Sequence, residues 1–292
     1  MIFASIGEVT CTREGVYAII KTNSGKEETM AEPAPVPSGW RGRPVYTRVS
    51  VVGLLFFGLV LLFLAVLAAK DGDSKNLAFT LALAVPSLVV AGLVWRFGKW
   101  MLLVAAVWAL ALLLLDAFFL IPAFSNVNSF FDFGVAVAFL AGLLTAIVGG
   151  AVSFLQQRRG TARTVATRPE RVAFSAVAAV VVGLMAMSGI LQITGRTSVG
   201  ADAKAGATPV IMKNTEFLPT QLSIPAGRPA IVVVKNGDLN VHTFTIEDLR
   251  VDHKLLGGSE LLVELPSASA GTYEYHCTVP GHESMKGTLI VK

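Results

Sequence analysis

Hydrophobic positions along this chain fall into two textures. From Val49 to Thr194 they run almost unbroken in five stretches: Val49 to Ala69, Leu77 to Trp95, Trp100 to Ala123, Phe133 to Leu155 and Val172 to Thr194. Each meets or approaches the roughly 20 residues that cross a hydrocarbon core about 30 Å thick at 1.5 Å per helical residue. They predict five transmembrane helices. From Thr208 onward the texture changes to short β-rich runs separated by Pro, Gly and Asn: Val210 to Lys213, Gln221 to Ile224, Ala230 to Lys235, His242 to Glu247, Glu260 to Leu265, Thr272 to Cys277 and Gly287 to Val291. Seven such strands in so short a segment predict an antiparallel sandwich. The expected fold class is therefore mixed: a five-span transmembrane α-helical bundle followed by an all-β Greek-key sandwich.

The remaining segments set the organisation. Residues 1–48 mix polar, charged and proline-rich sequence, and Ala31 to Pro37 is too proline-dense for a helix. They are expected to form a disordered cytoplasmic segment in which Met30 is a second candidate start and Cys11 an unpaired thiol. Residues 49–194 form the membrane domain. Residues 195–207, rich in Gly, Ala, Ser and Thr, are expected to be a flexible linker reaching about 20 Å, and residues 208–292 form the β domain.

Composition agrees with this division. Of 292 residues 53% are hydrophobic and 15% charged, against about 25% charged in ordinary soluble domains. Two cysteines, Cys11 and Cys277, exclude both a disulfide framework and a four-cysteine zinc site. The net charge of +4 hides a split, because residues 207–292 hold seven Lys/Arg against nine Asp/Glu. The basic excess lies in short connections between apolar runs, where it sets membrane orientation rather than binding nucleic acid. Ten Lys/Arg flank the spans on the side of Arg41, Arg43, Arg48, Arg96 and the Arg158 to Arg171 cluster, against four on the other. This places the N-terminus in the cytoplasm and the C-terminal domain outside the cell membrane, as an odd number of spans also requires.

All four histidines lie beyond residue 240, so bis-histidine haem binding within the spans is excluded. Asp116 is the sole carboxylate well inside a span, a position that marks a functional candidate, although it stands near the outer end of its helix and can reach the interface. Chemistry concentrates instead in the β domain. Strand alternation puts His242, Phe244 and Ile246 on one inward face, and Tyr273, Tyr275 and Cys277 on another. His276 points the other way, and His253 is expected in a surface loop. The turn Thr278-Val279-Pro280-Gly281 can carry His282 and Met285 back towards Cys277. Zinc gains little from a thioether, whereas two imidazoles and a thiolate with a weak axial Met suit copper.

The run from Asn236 through His242 to Ile246, followed by Tyr273-Glu-Tyr-His-Cys277-Thr-Val-Pro-Gly-His282-Glu-Ser-Met285, resembles the cupredoxins, the small blue-copper proteins. The resemblance implies one type 1 copper ion, with His242, Cys277 and His282 in the trigonal plane and Met285 axial. It implies electron entry at the His282 edge, where Val279, Pro280 and Gly281 would form an apolar rim for a redox partner protein. Two departures stand out: Thr243 occupies a position where many members carry Asn, and the His-to-Met step is short. A closed His2CysMet site lacks the open position that an enzyme would need. The reading is a membrane-anchored electron carrier rather than an enzyme, set in the lipid bilayer. The alternatives are copper capture, delivery or sensing, and membership as a subunit of a respiratory assembly.

Overall fold

The computed structural model describes residues 9–12, 15–18 and 39–292. The chain divides into two compact units, residues 1–42 and 43–292. In the first, strands β1 (Val9–Thr12) and β2 (Gly15–Ala18) pair antiparallel, with Val9 opposite Ala18, and a 3-10 turn covers Gly39–Gly42. These short strands fall within the segment expected to be disordered, where the β-branched residues Val9, Thr10, Thr12 and Val16 favour extended backbone. The rest of the Pro-rich stretch lies outside the described residues.

The second unit begins with five helices, α1 (Val45–Asp71), α2 (Ser74–Phe97), α3 (Lys99–Ala123), α4 (Val135–Arg158) and α5 (Arg168–Gly195). All five are long and apolar enough to cross a membrane. Local chemistry fixes their ends. Gly72 closes α1 in the left-handed conformation at φ 75°, which glycine adopts without steric cost. Asp73 then caps α2 by accepting from the Asn76 N–H. Thr167 and Glu170 form a capping box that opens α5. A π-helical turn, Phe130–Gly134, leads into α4.

Small residues decide how closely the helices approach. A Cβ on Gly53 would lie 2.6 Å from the Ala146 N and the Gly142 O, and one on Gly149 would lie 2.5 Å from the Ser50 N. Glycine thus brings α1 and α4 into backbone contact, the membrane device in which dispersion replaces the missing hydrophobic drive. Polar side chains reinforce the seam: Thr47 Oγ1 and Ser153 Oγ share a hydrogen bond of 2.7 Å, and Ser50 Oγ donates to the Ala146 O at 3.2 Å. The helix α5 stands apart, burying only Ser188 and Gln192. Gln192 Oε1 accepts from the Phe130 N–H at 2.7 Å, tying α5 to the π turn.

The β region holds nine strands where seven are expected: β3 (Thr208–Lys213), β4 (Glu216–Leu218), β5 (Gln221–Ile224), β6 (Ala230–Asn236), β7 (His242–Ile246), β8 (Val251–Leu255), β9 (Glu260–Leu265), β10 (Gly271–His276) and β11 (Lys286–Val291). The two additions have little hydrophobic signature. β4 has three residues, and β8 places Asp252, His253 and Lys254 between its buried ends, so His253 lies on a strand rather than in a loop. One sheet runs β5-β11-β10-β7-β8, the other β4-β3-β6-β9. The sandwich is not purely antiparallel: β5 pairs parallel with β11, and β3 parallel with β6. These pairings join strands far apart in sequence, which no local alternation reveals.

Between the sheets, Phe217, Phe244 and Tyr275 meet with ring centroids 5.0 to 6.0 Å apart. Gly287 admits the Tyr275 ring, since a Cβ there would lie 2.1 Å from the Tyr275 Cζ. Side-chain ties run from the segment expected to be a flexible linker to the β9 end of the sandwich. Arg196 Nε donates to the Gly257 O at 2.9 Å, Thr197 Oγ1 to the Glu260 O at 2.7 Å, and Lys204 Nζ pairs with Glu260 at 2.5 Å. Composition shows chain freedom but not the carbonyls and carboxylate of a distant turn that restrain it. Two further ties join sandwich to helices: the Val241 N–H donates to Asp132 Oδ2 at 3.0 Å, and Lys254 Nζ donates to Asn126 Oδ1.

Because the α1–α4 seam has no room for a methyl group, Gly53→Ala is expected to lower thermal stability in detergent by about 1–3 kcal/mol. Gly92→Ala, where a Cβ meets nothing within 4 Å, is expected to be neutral or mildly stabilising. Equal effects at the two sites, measured by thermal unfolding of the full chain, would refute the close-packed seam.

Candidate metal centre

Three chain segments converge at one end of the sandwich. β7 starts with His242, β10 runs out into Cys277, and the turn after it brings back His282 and Met285 before β11 begins. The hydrogen bonds of that turn explain its shape: the His282 N–H donates to the Val279 O at 3.0 Å, the Met285 N–H to the His282 O at 2.8 Å and the Cys277 N–H to the Met285 O at 3.0 Å. The short His-to-Met step thus forms a compact closed loop.

Cys277 Sγ lies 3.8 Å from His242 Nδ1 and 3.6 Å from His282 Nδ1. The donor atoms of these three residues lie within 4.8 Å of one another, as a group able to hold one metal ion. His242, Cys277 and Met285 are 1%, 5% and 1% exposed, whereas His282 is half-buried. The two imidazoles tilt against each other with centroids 4.7 Å apart.

Electrostatics favour a deprotonated sulfur here. Burial works against a charged thiolate, but hydrogen bonds from His242, His282 and the Thr243 and Val279 amides outweigh it and bring the Cys277 thiol down to about 5. His242 is the counterpart: burial disfavours its cation, yet Asp238 and Cys277 raise it to about 9. A pocket that stabilises a thiolate by facing it with two ring nitrogens can exchange those protons for a cation, so the donor set fits a thiophilic metal.

Asp238 was not apparent from the sequence as part of this site. Its Oδ2 lies 2.8 Å from His242 Nε2, so Nδ1 is turned towards the sulfur. Burial opposes its charge too, but the bonds from His242 and from the Asn214 and Thr215 amides hold it below the usual carboxylate range. Those two residues adopt left-handed backbone at φ 54° and 61°. Asn236 builds the loop: its Oδ1 accepts from the Asp238 N–H at 3.0 Å, and its Nδ2 donates to the Asn240 O at 2.8 Å and the Leu255 O at 3.0 Å. The signal available in sequence was Asn-x-Asp four residues before the first histidine.

Thr243 performs a linking role at the position that departs from many cupredoxins. Its N–H points at Cys277 Sγ at 3.4 Å, and its Oγ1 accepts from the Thr278 N–H at 2.8 Å. The hydroxyl therefore ties the first-histidine strand to the cysteine loop. His276 lies on the opposite side of its strand near Glu247 and Glu274, and His253 sits on β8, so neither joins the trio. Asp116 is 3% exposed, buried rather than reaching the interface.

A family profile described as a cupredoxin-like domain matches residues 177–291. No curated protein matches the chain. Among solved structures, auracyanin A, a "blue" copper protein of the green thermophilic photosynthetic bacterium Chloroflexus aurantiacus, is 22% identical. That match covers 30% of this chain and 98% of its own, at TM-score 0.27. A dithionite-reduced auracyanin from Roseiflexus castenholzii is 19% identical, over 30% and 97% of the two chains, at TM-score 0.28. A purple cupredoxin from Nitrosopumilus maritimus is 21% identical, over 29% and 99%, at TM-score 0.24. The resemblance read from the ligand motif holds: the cupredoxin-like profile covers the whole β region and reaches back into α5, the last of five long apolar helices.

Proposed function

We propose that this chain is a membrane-anchored single-electron carrier in which His242, Cys277, His282 and Met285 hold one type 1 copper ion on the outer face of the cell membrane. The observation that carries the reading is the pair of imidazole Nδ1 atoms facing the buried Cys277 sulfur at 3.6 and 3.8 Å. When bound, copper supplies a one-electron Cu(II)/Cu(I) couple.

The chain's own residues account for the rest. Asp238 fixes the His242 tautomer, and the Thr243–Thr278 bonds fix the spacing between strand and loop. Met285, buried and returned to Cys277 by the Cys277 N–H to Met285 O bond, would supply a weak fourth donor, and a four-donor site favours electron transfer over substrate chemistry. His282, half-buried, supplies the ring edge through which an electron can enter the site. A donor set locked in this way changes little between two charge states, and low reorganisation is what an electron carrier needs.

Orientation is supported by two features. The sandwich attaches at the helix ends bearing Asn126, Asp132 and Arg196, while the Arg-rich connections Arg43, Arg48 and Arg163 bond among themselves at the other end, to the Trp95 O, Thr164 O and Glu170. Arginine retained on one side is the cytoplasmic mark.

Copper-loaded full chain is expected to show an intense thiolate-to-copper absorption in the visible range, and Cys277→Ser to abolish it; colour that survives the substitution would sink the proposal. Asp238→Ala is expected to weaken copper about 10–100-fold in competition with a chelator, whereas unchanged affinity would mean that the strand alone orients His242. An epitope placed after Lys292 should react with antibody on intact cells, and reaction only after permeabilisation would reverse the orientation.

A further inference from the structure

A cleft of about 660 Å³ lies between the helices and the metal centre. Its floor is inside the bundle, where Leu83, Asp116, Ala136 and Phe139 meet; its roof is Val279, Pro280, Gly281 and the ligands His242 and His282. The apolar rim expected to receive a partner protein thus faces the cleft, and a Cβ on Gly281 would sit 3.8 Å from the Phe119 ring.

The lining has a specific chemistry. Phe79, Phe119, Phe131 and Phe139 give it aromatic walls. Within those walls stands Asp116, 3% exposed, whose Oδ2 finds no hydrogen-bond partner. A buried carboxylate oxygen without a donor is costly, and such groups in native proteins call for an explanation. The missing partner is a donor that also suits phenylalanine walls, that reaches the site from lipid and that is drawn towards a redox-active edge. A hydroxylated aromatic ring meets all four conditions. The volume falls within the range of small-molecule sites, about 300–1,000 Å³.

We infer that this cleft binds the ring of a lipid-soluble hydroquinone, with Asp116 accepting a hydrogen bond from its hydroxyl and the His282 edge closing the site above it. The inference rests on the electron-carrier reading and names the donor for it. Oxidation of a hydroquinone to the quinone releases two electrons and two protons. The electrons would leave one at a time by the His282 edge of the site that would hold copper, the oxidant being a soluble one-electron acceptor protein that takes up one electron in each of two successive encounters. With each electron one proton goes to the Asp116 carboxylate and then to water at the polar mouth by Asp73, Lys75 and Asn76.

The test uses the full chain in lipid nanodiscs with an azido-substituted, short-tailed ubiquinol analogue, kept in its hydroquinone form by ascorbate, cross-linked by light and mapped by peptide mass spectrometry. Label is expected on the cleft residues Phe119, Leu120 and Ala123 and on Phe131 and Phe139, displaced by excess decyl-ubiquinol. It should fall about tenfold or more in Asp116→Leu and fall in Phe119→Ala. Label confined to the outward-facing Phe118 and Ile121, or not displaced by competitor, overturns the site in the unaltered chain whatever the variants do. Undiminished labelling in both variants overturns it as well. Reduction of the copper band by ascorbate in the same preparation reports separately on the carrier reading: its failure removes that reading, while its success with unspecific labelling removes only the donor site.

Discussion

Everything at the functional end of this molecule depends on keeping a sulfur anion out of water. A thiolate in an apolar sandwich is unstable unless positive or positively polarised groups surround it. Here two imidazoles and two backbone amides do so. That requirement explains why β7 and the turn after β10 must meet at a fixed distance, why Thr243 links them, and why Asp238 sits behind His242. The same arrangement of soft donors around a dry centre is what a copper ion asks for, so the electrostatics of the fold and the proposed chemistry are one constraint seen twice.

The helical unit answers a different constraint. In lipid there is no water to drive apolar faces together, so contact depends on how near backbones can come. Gly53, Gly142, Gly149 and Gly150 permit that approach between α1, α3 and α4. Apart from Asp116, charge gathers at the two ends of the helices, with arginines at one and the acidic and amide side chains that meet the sandwich at the other.

The sequence made much of this visible because its strongest signals are local. Twenty-residue apolar runs and a Cys-x4-His-x2-Met spacing need no tertiary information, and the helix positions and the convergence of His242, Cys277 and His282 follow from them. Less local features were hidden. β8 carries polar residues between its ends, the parallel pairings depend on partners far along the chain, and Asp238 becomes meaningful only once its loop folds back onto His242. Asp116 was visible as a charge in a span, but whether it met water or protein depended on helix rotation, which composition does not encode. The extended segment after α5 looked unconstrained because its restraints, the Gly257 and Glu260 carbonyls and the Glu260 carboxylate, belong to another strand.

That restrained segment has a consequence for how charge is moved. A shuttle on a loose leash can swing between sites, collecting at one and delivering at another. Fastened through Arg196, Thr197 and Lys204 on one side and through Asp132 on the other, this head cannot commute. In the proposed role it is a stationary relay: its separation from the helices beneath is set by covalent and hydrogen-bonded geometry, and only the electron would make the journey.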